Sequence, residues 1–125
     1  GVAINTNIVL NFSEAVIAQS GGNIVIYRTS DDSVIETISV TSGQVTGSGT
    51  SQITINPSSD LADDTVFYVQ ISATAFDDAA GNSYAGISDK TSLTFSTADP
   101  PTVDGEFSIR FTGGALLLIG GLDIS

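Results

Sequence analysis

The 125-residue sequence has no cysteine, histidine, methionine or tryptophan, and only three basic residues, Arg28, Lys90 and Arg110. Each absence removes a chemistry. Without Cys or His there is no zinc site of the usual ligands, no thiol nucleophile, no imidazole base and no disulfide framework. Long apolar runs are missing as well. The longest, Ala115 to Ile119, falls far short of the roughly 20 residues needed to cross a bilayer, so no membrane insertion is expected. Against the three bases stand fourteen acids, for a net charge of −11. Phosphate backbones and anionic membrane surfaces repel such a chain, which excludes nucleic acid as a partner. Surplus Asp also keeps a protein soluble, so the acidity needs no specific cation to explain it, although calcium stays open. A cysteine-free chain fits a reducing cytosol as well as a surface protein that avoids thiols. Gly1 in place of Met suggests a processed chain or a fragment of a longer one.

What remains is a strand-forming sequence. A chain of this length makes about one domain and buries roughly two-thirds of its unfolded surface. Apolar residues recur with period two, and β-branched residues with Ser, Thr, Asn and Gly crowd out helix formers. "TNIVLNF" puts Ile8, Leu10 and Phe12 on one face, and "NIVIYR" follows the turn signal Gln19 to Gly22. "SVIETISV", a weak strand around Val45, "QITIN", "TVFYVQIS" and "KTSLTFST" complete about seven short strands between residues 3 and 97. Single helical turns fit only "AVIAQ" and "DLAD". The spacing predicts an all-β, two-sheet sandwich with residues 1–98 as its body. The prolines of "ADPPT" mark 99–104 as a linker. Residues 105–125 read as a C-terminal β extension, a further strand or hairpin.

Four fragments in order, "GVAINTNIVLNFSEAV", "ITINPSSDLADDTVFYVQIS", "FDDAAGN" and "SLTFSTAD", resemble the bacterial Ig-like domain of the SbsA type, found in S-layer proteins and long surface adhesins. The likeness covers Gly1 to about Asp99. It implies an immunoglobulin-like Greek-key sandwich outside the cell, on the bacterial surface, with roles in spacing, assembly and adhesion and no catalytic residues. Two departures stand out. Such domains usually begin with a further Pro-containing strand and an Asp-Gly turn, which do not precede Gly1 here. Their Leu-x-x-x-Thr-x-Tyr pattern reads Leu61, Thr65, Phe67 in this chain, so the aromatic plug lacks its hydroxyl, and Tyr68 points to the opposite face.

Two stretches carry the candidate sites. In "AFDDAAGNSY" the neighbouring Asp77 and Asp78 project to opposite faces of an extended backbone, unlike the facing carboxylates of a glycosidase, so catalysis is not expected and neither is a cofactor. Asp77, Asp78 and Asn82, with Asp99 or Asp104 from the linker, form the best candidate set for weak calcium binding. The competing reading is a turn in which an Asp bonds local N–H groups, Gly81 supplies a positive φ and Asn82 tolerates a left-handed conformation. The second stretch is the extension. Phe107, Ile109, Phe111 and Leu116, Leu117, Leu118 and Ile119 form an assembly strand that must bury somewhere. It folds back onto its own sandwich, or it adds to the open edge of a neighbouring subunit. "TNIVLNF" and "NIVIYR" lack the Lys and Pro that protect free edges, which favours pairing with other copies or with neighbouring Ig-like modules. A homo-oligomer or fibre is therefore the first expectation, and a ligand-binding adhesin domain or a phage decoration domain are the alternatives.

Overall fold

The computed structural model describes residues 1–100 in full, together with the backbone of 106–112 and 117–118. Among the described residues ten strands run in the order β1 (Asn7–Ala18), β2 (Asn23–Arg28), β3 (Ser33–Ser39), β4 (Val45–Thr46), β5 (Thr50–Ile55), β6 (Val66–Ile71), β7 (Phe76–Asp78), β8 (Thr94–Ser96), β9 (Glu106–Thr112) and β10 (Leu117–Leu118). The described residues contain no helix. One sheet has the order β10-β9-β1-β5-β4, with β7 also paired to β1, and the second has the order β3-β2-β6-β8. All pairings between these strands are antiparallel except β1 with β9, which is parallel.

Period-two alternation places the core between the sheets. Ile8, Leu10 and Phe12 of β1 and Ile53 and Ile55 of β5 face Ile24 and Ile26 of β2 and Phe67, Val69 and Ile71 of β6, all buried. Phe67 stacks on Phe95 of β8 with ring centroids 5.3 Å apart, so the aromatic plug keeps its place without a hydroxyl. Burying one such side chain contributes about 1.5–3 kcal/mol, and their continuity makes two separately marginal sheets stable together.

Several expectations are corrected. "AVIAQ" is not a helical turn. Its Ala15 to Ala18 extend β1, which bends at a bulge where residues 12–15 face only Ser51 between the pairs Asn11 with Gln52 and Val16 with Thr50. That bend lets one strand pair with β5 along its first half and with β7 at its end. "DLAD" is likewise irregular, its chain held by the Leu61 N–H donating to the Ile4 carbonyl. An eighth strand, β7, precedes residue 97 within the stretch read as a turn. Phe76 on β7 is fully buried against Phe12, with centroids 5.6 Å apart, and Phe12 meets Tyr84 edge-on at 5.5 Å. Finally, "TNIVLNF" and "NIVIYR" are interior strands: β1 lies between β9 and β5, and β2 between β3 and β6. They need no edge protection because their ladders are already occupied.

Candidate functional site

The Asp77–Asn82 loop closes on itself. One Asp78 carboxylate oxygen accepts the N–H groups of Ala80 (2.9 Å) and Asn82 (2.8 Å), and the other accepts the Asn82 side-chain amide (3.2 Å). The Asp78 N–H donates to the Asn82 carbonyl, and Gly81, at φ +87°, supplies the left-handed step. Asn82 itself does not adopt a positive φ; among the described residues, the non-glycine ones that do are Asp32 and Asp64. Asp77 turns the other way and accepts the Ser83 hydroxyl at 2.6 Å.

Charge is uneven in this loop. The Asn82 N–H, above all, holds the Asp78 carboxyl below its ordinary range, while a hydrogen bond to Asp78 pushes the neighbouring Glu14 carboxyl up. Glu14 therefore gives up its proton at a higher pH than an isolated glutamate, and Asp78 at a lower pH than an isolated aspartate. Asp77, Asp78 and Asn82 share a loop, and apart from the contact of Asp78 with Glu14 their described side-chain hydrogen bonds stay within residues 77–83. Asp99 is not brought to it. It follows Ala98, whose N–H bonds to Val2 ahead of β1, whereas Asp77 and Asp78 pair with Ile17 and Val16 at the far end of that strand. Asp104 lies outside the described residues. Among those described, no group of three acidic, His or Cys side chains is placed to hold a metal ion.

The extension reaches the sheet edge that β1 would otherwise leave open. In register, Phe107 is the partner of Ile8 and Ile109 of Leu10, while Phe111 pairs with Leu118 in the antiparallel β9–β10 pair. Leu117 pairs with Thr112. Leu116 and Ile119 lie outside the described residues.

A third cluster was not anticipated. On the outer face of the four-stranded sheet, Val34, Tyr27, Tyr68 and Thr94 stand in one cross-strand row. The Tyr27 and Tyr68 rings stack at 4.8 Å and 12°, and Tyr68 is only 2% exposed although it faces away from the core. Its hydroxyl donates to Asp32 at 2.8 Å; the other Asp32 oxygen binds Lys90 Nζ at 3.0 Å, and that ammonium sits 6.0 Å from the Tyr68 ring centroid. Beside it, Arg28 meets Asp31 at 2.6 Å. Burial, then the Asp32 hydrogen bond, hold the Tyr68 hydroxyl up to about 12. Lys90 keeps the Asp32 carboxyl below its usual range, and Arg28 does the same for Asp31. The sequence signal for this cluster was the outward phase of Tyr27 and Tyr68. Its closure depends on Lys90 arriving from a distant loop.

Two face-packed sheets around one apolar layer define an immunoglobulin-like β-sandwich, and the sites described on it are turns, edges and faces. The family model of the bacterial Ig-like domain matches residues 1–97, and the chain belongs to that family. Its members are typically modules of surface or extracellular proteins and are generally non-catalytic. Neither the curated proteins nor the solved structures gave a match. No helix among the described residues is long and apolar enough to cross a membrane.

Proposed function

We propose that this chain is a structural and assembly module of an extracellular bacterial surface protein or fibre, in keeping with its resemblance to S-layer domains of the SbsA type, and that it associates by β-strand addition. The observation that carries the reading is the parallel register of β9 on β1, from Asn7 with Glu106 to Asn11 with Arg110. β9 lies beyond the family-matched residues 1–97, so the matched sandwich offers β1 as an acceptor edge and the following segment supplies the strand.

Main-chain hydrogen bonds do not distinguish a strand of the same chain from an identical strand of a neighbour. The same ladder therefore serves either closure within a copy or donation to the next one. Donation joins unlike patches head to tail, and such contacts propagate into a filament unless the rotation closes a ring. Deleting Asp104 to Ser125 tests the reading. It is expected to change the particle size seen by light scattering and to abolish fibres seen by electron microscopy. Unchanged size and unchanged assembly would sink it.

A further inference from the structure

The edge of β1 that receives β9 is a bounded slot. Leu10 pairs with Ile53 of β5 and with Ile109 of β9, and Val16 pairs with Thr50 of β5 and with Asp78 of β7. A strand has two edges, and β5 holds the same one at both places. β9 and β7 therefore share the other edge, one behind the other.

Each end of the slot has its own wall. Ahead of β1 the chain runs beside the opposite sheet, where the Val2 N–H donates to the Ser96 carbonyl at the end of β8 and the Ala98 N–H donates to the Val2 carbonyl. Residues 3–6 then cross between the layers, with the Thr6 N–H donating back to the Ala3 carbonyl, so β1 starts only at Asn7. Past Asn11 the strand bulges. Its alternation breaks at Ser13, Glu14 and Ala15, which are all exposed, and from Val16 the edge is taken by β7. Between the walls lie Asn7 to Asn11, and β9 pairs with all five.

The walls and the sequence pattern reject different errors. A slip of one residue brings Ser108 and Arg110 to the register positions beside the buried Ile8 and Leu10, and an unpaired charge is costly on that side. A slip of two residues keeps the apolar residues in phase. It moves two of the five pairs off the regular stretch, onto the crossover in one direction and onto the bulge in the other. Only the observed register uses the whole slot with Phe107 and Ile109 in phase with the core.

We propose that Asn7–Asn11 is an acceptor slot for one strand in one parallel register, that the crossover at one end and the bulge with β7 at the other fix this register, and that the occupant in an assembly is Glu106–Arg110 of a second copy of this chain. The inference rests on the strand-addition reading above and adds what selects the donor. Every copy carries a segment that meets both conditions, and this segment already occupies the slot in its own chain.

Cysteine pairs test the register. The chain has no cysteine, so introduced residues are its only thiols, and paired strands lie close enough for a disulfide. Full chains carrying Asn11→Cys are refolded under mild oxidation together with full chains carrying Arg110→Cys, the registered partner. Parallel mixtures with Ser108→Cys or Thr112→Cys probe slips of two residues in either direction. Circular dichroism checks that each variant folds, and non-reducing electrophoresis with mass spectrometry of the linked peptides counts links between copies. The registered mixture is expected to link roughly tenfold or more faster than either slipped one, because a slip forfeits main-chain hydrogen bonds. Links between copies that form as readily at Ser108 or Thr112 overturn the single register and leave strand addition standing. If no mixture links one copy to another, while a chain carrying both Asn11→Cys and Arg110→Cys closes on itself, donation between copies fails and this inference fails with it.

Discussion

Phe76 is the sharpest test of how the "AFDD" stretch contributes to the fold. Replacing it with alanine removes a fully buried ring that contacts Phe12, which in turn meets Tyr84 edge-on. Such truncations cost about 3–5 kcal/mol, depending on how far the surroundings collapse. Collapse is restricted here. The neighbouring Ala75 already lies so close to Gly22 that a Cβ on that glycine would come within 2.5 Å of the Ala75 Cα, so the backbone cannot move inward at this point. The upper half of the range, about 4–5 kcal/mol, is therefore expected. Set against a total stability of about 5–15 kcal/mol for a domain, this leaves a variant close to its unfolding threshold. A loss of that size lowers the melting temperature by roughly 15–20 °C at about 4 °C per kcal/mol for a chain of this length. Urea denaturation followed by circular dichroism measures it, with an unchanged slope showing that the unfolding remains two-state. Phe76→Leu, which keeps most of the volume, is expected to cost only about 1–2 kcal/mol. A loss below about 1.5 kcal/mol for Phe76→Ala would show that β7 is a loosely attached flap and not part of the core.

Two further predictions concern the same loop. Glu14 has a raised folded-state pKa, so the folded chain is favoured while Glu14 is protonated and loses that contribution as pH rises through the folded value. Glu14→Gln keeps a neutral donor for Asp78 and is expected to raise the melting temperature at about pH 7, with the gain fading towards about pH 3.5, where the native Glu14 carries its proton. A gain that does not depend on pH would refute the upward shift of Glu14. Asp78 has the opposite sign: its depressed pKa contributes stability above the unfolded value, which is lost as pH falls through the folded one. Because its carboxylate holds the Ala80 and Asn82 N–H groups, Asp78→Ala is expected to lower the melting temperature by a few degrees equally with and without millimolar calcium. A calcium-dependent stabilisation of the native chain that this variant abolishes would establish the loop as a cation site.

How much of this was legible follows from the range of the forces involved. The alternation of Ile8, Leu10 and Phe12 and of Phe67, Val69 and Ile71 is a local pattern, and it marked the inner faces correctly. β7 was hidden because three residues are too few to show a period, and its core residue Phe76 stands beside two acids that draw attention to chemistry. The extension was visible as an apolar strand, but its parallel register with β1 depends on residues a hundred positions apart, and no turn signal encodes that pairing.

Tyr68 illustrates the same limit from the other side. Strand phase put it on the outer face, where a tyrosine is ordinarily half exposed, yet it is nearly as buried as Phe67. Its cover comes from Tyr27 on the adjacent strand and from Lys90 and Asp32 in two separate loops, the latter at φ +56°. A left-handed, non-glycine Asp carries a conformational cost, and the carboxylate it presents binds both the phenol and the ammonium. Phe67 has no hydroxyl to anchor the inner face, but Tyr68 directs one outward to a charged partner. The polar contact formed at this strand therefore stabilises the external face of the sandwich, and through Asp32 it ties the Tyr68 hydroxyl to Lys90, one of the three bases of the chain.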